Sequence, residues 1–261
     1  MQLELLHRDP AHARPTPLLF VHGAWQGAWC WDEHFLAYFA ERGYPAYALS
    51  LRGHGTSEQP ERSRRVTIAD YVADVTQVAS QLPSPPIMVG HSMGSLVVQK
   101  YLETHMAPAA ALLAPTPLGG ALRSTLNVAR KHPFRFLYAN ATESLYPLVA
   151  TPRLCRELFF SPEMPADQVR AYAKRMQNES YRAFVDMIGL TLPRPRRVKT
   201  PMLVLGAERD AIFTPREIAA TAHAYRTQPR IFPKMAHAMM LEARWQDVAY
   251  AILAWLRERG M

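Results

Sequence analysis

The sequence predicts an α/β fold: a mostly parallel central sheet with helices on both faces, and a helical segment inserted among its later strands. Three observations predict it. Short apolar runs bounded by turn residues alternate with segments of helical period, as strands buried on both faces require. The pentapeptide Gly90-His91-Ser92-Met93-Gly94 sits between the apolar run Ile87-Met88-Val89 and the helical stripe Leu96, Val97, Lys100, Tyr101. From 116 to 197 the alternation stops, and short helical stretches punctuated by Pro133, Pro147, Pro152, Pro162, Pro165, Pro193 and Pro195 take its place.

Runs at 18–21, 46–49, 87–89, 109–113, 202–205 and 230–232 read as the buried strands, and 2–7 as an edge piece. The clearest helix is 68–82, where Ile68, Tyr71, Val72, Val75, Val78, Ala79 and Leu82 share one face and Thr67 stands at the capping position. Segments 31–42 and 245–257 are the other well-marked helices, and the stripe Val248, Ile252, Trp255, Leu256 reads as core packing. A strand-free stretch as long as 116–197 exceeds a plain loop, so it is expected to form a helical cap over the sheet. The core then comprises 1–115 and 198–261, with the Pro193-Arg194-Pro195-Arg196-Arg197 cluster as the return linker.

At 261 residues the chain is long enough for one substantial core. Its net charge of +8 is concentrated: 116–200 holds fourteen Lys or Arg against six Asp or Glu, and the remainder sixteen of each. No nucleic-acid-binding motif accompanies this excess, so it reads as a solvated cap surface, with weak contact to anionic lipid interfaces as the alternative. No leader-like or bilayer-length apolar stretch is evident. Cys30 and Cys155 fit no metal or redox spacing and read as reduced thiols, which implies a cytoplasmic setting.

Strand, sharp turn and helix form the context in which G-x-S-x-G raises a serine hydroxyl clear of a sheet, making Ser92 the candidate nucleophile. The ordinary alternative is a turn serine that caps the following helix. A serine needs a base within hydrogen-bond reach and an acid to orient that base. After the run 202–205 comes Gly206-Ala207-Glu208-Arg209-Asp210, and after 230–232 comes Pro233-Lys234-Met235-Ala236-His237. Asp210 is the candidate acid, with Glu208 as competitor, and His237 the candidate base. The oxyanion donors are assigned to the N–H of Met93, at a helix start, and of Ala24, with Trp25 as the alternative. His22, Gly23 and His91 are read as structural at the site; His22 braces its loop through hydrogen bonds.

In these residues the chain resembles the α/β-hydrolase superfamily, through Phe20 to Trp25, Leu51-Arg52-Gly53-His54-Gly55-Thr56-Ser57, Gly90 to Gly94, Asp210 and His237. The stretch His22 to Trp31 is similar to the methylesterase and hydroxynitrile lyase branch, whereas Arg52-Gly53-His54-Gly55 is more like bacterial esterases and monoacylglycerol-lipase-like hydrolases. The resemblance implies the α/β-hydrolase fold and acyl transfer without metal or cofactor. Epoxide- and halide-displacing relatives use an aspartate nucleophile where this chain has Ser92. Hydroxynitrile lyases usually carry a threonine and a lysine where it has Ala24 and Ala211. The expected activity is hydrolysis of short to medium lipophilic carboxylic esters, a small-molecule substrate with no nucleic acid and no integral membrane association. Hydrolysis of C–C bonds, lactones or amides, perhydrolysis, and a weakly hydrolysing ligand receptor are the alternatives. The cap's aromatic and methionine residues are expected on its inner face and the excess arginines on its outer face.

Overall fold

The computed structural model describes residues 1–61 and 63–261. In chain order the strands are β1 (Leu5–Arg8), β2 (Leu18–Val21), β3 (Ala46–Leu49), β4 (Ile87–His91), β5 (Ala110–Leu113), β6 (Met202–Ala207) and β7 (Pro229–Phe232). The α-helices are α1 (Trp29–Asp32), α2 (Phe35–Ala40), α3 (Ile68–Gln81), α4 (Met93–Tyr101), α5 (Leu122–Lys131), α6 (Pro133–Thr142), α7 (Pro152–Phe159), α8 (Ala166–Ala173), α9 (Tyr181–Val185), α10 (Pro215–Ala224) and α11 (Trp245–Arg257). One seven-stranded sheet runs β1-β3-β2-β4-β5-β6-β7, antiparallel only at the β1 edge.

The apolar strands face two cores, because successive side chains point to opposite sides of a sheet. Leu18 and Phe20 pack with Trp31, Phe35, Phe39, Ile252 and Leu256, on the side of α1, α2 and α11. Leu19 and Val21 pack with Tyr71, Val75, Val78, Leu96 and Val97, on the side of α3 and α4. From β2 the strand order runs outward in both directions, to β3 on one side and β4 on the other. Loops leaving the C-terminal ends of β2 and β4 therefore turn to opposite faces and leave a crevice between them, the usual ligand position in open α/β sheets.

Thr67 caps α3 in a reciprocal capping box with Asp70, as its position predicts. The single helix expected over 31–42 is instead two short ones. His34 leaves helical geometry at φ −145°, and its ring stacks on Trp245 of α11 at 4.5 Å, a tertiary contact that local periodicity does not encode. Between β5 and β6 the described residues form helices and turns without a strand. Their burial departs from the expected division of faces. Phe159, Phe160, Met164, Tyr172, Met176 and Met187 are buried, but Phe134, Tyr138 and Tyr146 are exposed. Both cysteines are buried free thiols; desolvation raises Cys30 well above its usual range and Cys155 to about 12.

Candidate active site

Ser92 sits between β4 and α4 at φ 50°, ψ −118°, a left-handed conformation that costs a non-glycine residue about 1–3 kcal/mol and persists only where its surroundings impose it. Those surroundings are visible. A Cβ at Gly94 would lie 2.3 Å from the carbonyl oxygens of Val21 and His22, so only glycine lets α4 start this close to β2. The Ser92 carbonyl accepts hydrogen bonds from Thr116 Oγ1 and Ser95 N, each at 3.0 Å, and from Ser95 Oγ. The Ser92 side chain caps nothing, so the hydroxyl is not spent on the helix.

Asp210 and His237 follow β6 and β7, and because these strands are parallel to β4 all three residues emerge at one end of the sheet. Asp210 Oδ2 accepts a 2.8 Å hydrogen bond from His237 Nδ1, while Oδ1 accepts from the N–H groups of Ile212 and Phe213 at 2.7 and 2.9 Å. With Nδ1 protonated towards Asp210, the neutral ring presents its lone pair at Nε2. That nitrogen is buried and has no hydrogen-bond partner among the described residues, the Ser92 hydroxyl included. Glu208 is turned elsewhere and accepts from the Lys234 N–H at 2.9 Å.

His91 Nε2 donates to the His237 carbonyl at 2.9 Å, tying the loop after β7 to the elbow. Burial, aided by the neighbouring His237 ring, holds His91 well below the usual imidazole pKa. His22 Nδ1 donates to the Gly23 carbonyl at 2.8 Å, and its Nε2 accepts from the Leu51 N–H at 3.0 Å. That pairing defines a neutral tautomer, and burial with nearby His54 lowers its pKa to about 3. Gly23 allows a close approach, since a Cβ there would fall 2.7 Å from His91 Nδ1 and 3.1 Å from Ser92 Cβ. The N–H groups of Ala24 and Met93 carry no hydrogen bond among the described residues. Trp25 differs: its N–H donates to Glu179 Oε2 at 3.3 Å, so the alternative oxyanion donor is already committed elsewhere.

Glu179 is a residue that sequence reasoning passed over. Its carboxylate is fully buried, accepting from Tyr71 Oη at 2.6 Å and the Ser180 N–H at 2.7 Å and ion-paired with His54 Nε2 at 3.2 Å. His54 Nδ1 donates to the Arg52 carbonyl at 3.2 Å, so each ring nitrogen lies beside an oxygen acceptor. Burial, the largest single influence, lowers His54, but the Glu179 carboxylate, the Arg52 carbonyl and the Asp74 charge together outweigh it and raise the pKa. Burial likewise opposes the Glu179 charge, and His54 with the surrounding donors lowers its pKa nonetheless. Gln177 completes a strap on the same loop: its N–H donates to the Trp25 carbonyl at 2.9 Å and its side chain accepts from the Gly55 N–H. Trp25 is thus gripped at both ends of its backbone while held at φ 64°. A second tie joins the loop after His237, where Glu242 accepts from Ser161 N and Oγ and Ala238 N donates to the Phe159 carbonyl. No local motif marks these residues; they meet only across the fold.

Ser92 opens into an apolar cavity of about 70 Å³ walled by Trp25, Val128, Phe136, Leu148, Phe184 and Phe213, among others. The Phe213 ring also lies 5.6 Å from the His237 ring, so nucleophile and imidazole border the same walls.

The chain belongs to the α/β-hydrolase family, whose model matches residues 18–251. It is 27% identical over 206 residues to a pFDCC methylesterase of Arabidopsis thaliana, covering 75% of this chain and 77% of that protein. A pheophorbidase of Raphanus sativus is 24% identical over 209 residues, 76% and 77% of the two chains. Among solved structures, an esterase from Exiguobacterium antarcticum aligns with a TM-score of 0.77 at 15% identity, covering 98% of this chain and 95% of its own. An esterase from a Rhodococcus species aligns with 0.70 at 21% identity, over 98% and 95%. At these identities the structural likenesses speak for the fold.

Proposed function

We propose that this chain is a serine carboxylesterase acting on short to medium lipophilic acyl esters through an acyl-enzyme on Ser92. One observation carries the reading. Asp210 fixes the His237 proton on Nδ1 and leaves Nε2 unpartnered, at the end of the sheet where Ser92 is held in a strained turn facing an apolar cavity. His237 Nε2 takes the Ser92 proton as Oγ adds to the ester carbonyl, and the N–H groups of Ala24 and Met93 stabilise the oxyanion. The imidazolium passes its proton to the departing alcohol, leaving the acyl group on Ser92. Water then adds to the acyl carbonyl, giving its proton to His237, and the acid is released as that proton returns to Ser92. The methylesterase relative supports an ester as substrate.

The segment 116–197 acts as the cap that selects the acyl group, since its Val128, Phe136, Leu148 and Phe184 form apolar walls. A cavity of about 70 Å³ is well below the ~300–1,000 Å³ of pockets for drug-sized ligands, which favours the short end of the range. A series of p-nitrophenyl esters tests this. Each methylene buried contributes about 0.8 kcal/mol, so kcat/KM should rise roughly fourfold per carbon and then fall early once the cavity is full. Folded protein inactive on every member of the series would favour the receptor reading instead.

A further inference from the structure

Helices α5 and α6 present an outward face that the proposed reaction does not use. Their inner residues Ser124, Thr125, Val128 and Phe136 line the Ser92 cavity. On the outer side Leu122 and Leu126, four residues apart on α5, are exposed, the latter at 60%. On α6, Phe134, Leu137 and Tyr138 share a second stripe and are 86%, 68% and 59% exposed. Five large apolar side chains in water on one helical hairpin are a substantial hydration cost unless something covers them.

The charge around them says what does. From 122 to 142 the sequence contains Arg123, Arg130, Lys131 and Arg135 and no Asp or Glu. Arg123 and Lys131 reach acidic partners on other elements, Glu217 and Glu157, whereas Arg130 and Arg135 have no carboxylate partner among the described residues. A second copy of the chain on this face would set cations against cations. A nucleic-acid strand would leave Leu122, Leu126 and Leu137 without an apolar counterpart. An anionic lipid surface satisfies both features at once, receiving the apolar stripes between acyl chains and the cations among its headgroups.

We infer that the outer face of the α5–α6 hairpin docks the protein on negatively charged lipid surfaces, with the other side of the same hairpin forming a wall of the Ser92 cavity. The inference extends the proposed function by locating its lipophilic substrate in the lipid phase. Docking needs no chemistry at Ser92, so the two stand or fall separately.

The test is co-sedimentation of the full chain with vesicles of phosphatidylcholine alone or mixed equally with phosphatidylglycerol, using both the wild-type chain and Ser92→Ala. Both forms should bind the anionic vesicles, and 0.5 M salt should weaken binding because it shortens the screening length to a few ångströms, roughly 3 Å at 1 M. Removing a cation by Arg130→Ser should weaken binding about fivefold at low salt, and Phe134→Ser with Leu137→Ser by roughly tenfold or more. These surface variants should hydrolyse a soluble short-chain p-nitrophenyl ester as the wild type does. Equal binding to neutral and anionic vesicles, or unchanged binding by the variants, would overturn the inference. So would a dimer in solution that Phe134→Ser and Leu137→Ser dissociate without any effect on vesicles. Vesicle binding without esterase activity in the wild type would leave docking standing and remove the proposed function.

Discussion

Helix α4 and the α5–α6 hairpin both border Ser92, yet they are built on opposite terms. Every residue of α4 except Lys100 is buried, because the sheet lies beneath the helix and α3 packs alongside. The hairpin is a single layer: one face walls the cavity, and the other carries Leu122, Leu126, Phe134 and Leu137 into solvent. An element enclosed on every side has no freedom to specialise, whereas one covered on a single side can serve the site inwardly and a partner outwardly.

The largest effects should arise on the enclosed side. Ser92→Ala and His237→Ala should each lower kcat for ester hydrolysis by about 10⁴–10⁶, and the double variant should lose little more. A folded Ser92→Ala protein retaining more than a few per cent of activity would displace the elbow from the chemistry. Asp210→Asn should cost about 10⁴, since it disturbs the imidazole tautomer, while Glu208→Gln, whose partner is the Lys234 N–H, should keep near-normal rates.

Next in size is the buried strap at Glu179. Glu179→Gln breaks a buried ion pair and should cost about 3–5 kcal/mol in urea unfolding, because His54 and the surrounding donors lose a charged acceptor. Glu163→Gln, in the exposed Glu163–Arg209 bridge, should leave the unfolding curve unchanged. Similar losses in both variants would contradict the buried strap.

A matched leucine pair addresses packing directly. Leu96→Ala in α4 should destabilise by about 2–5 kcal/mol, while Leu137→Ala on the outer face of α6 should stay within about 0.5 kcal/mol. Equal costs would mean that the hairpin's outer face is covered.

The broadest effect is on pH dependence. His22 and His91 have folded pKa values below the unfolded value of about 6.5, so their contribution is intact above that pH and is lost as pH falls towards the folded values. His54 is shifted up, so its contribution is full below about 6.5 and is lost as pH rises through the folded value. Stability measured by urea unfolding at pH 5, 6.5 and 8 should therefore be highest near the middle. A steady rise from 5 to 8 would argue against an upward shift at His54.

The sheet, the capped helix at Thr67 and the placing of Ser92, Asp210 and His237 after β4, β6 and β7 could be read from the sequence. These are local matters: apolar runs, turn residues and a glycine-flanked serine report their own backbone geometry, and parallel strands carry their C-terminal loops to one end. Tertiary structure alone decided the break at His34, the choice of Asp210 over Glu208 as the partner of His237, and the diversion of the Trp25 N–H to Glu179. It also decided which aromatic residues of 116–197 turn inward, because helical periodicity marks an apolar face without naming the neighbour that covers it. Glu179 and Trp25 lie 154 positions apart, and a buried carboxylate is tolerable only where donors from distant segments converge on it, so its place follows from the assembled fold.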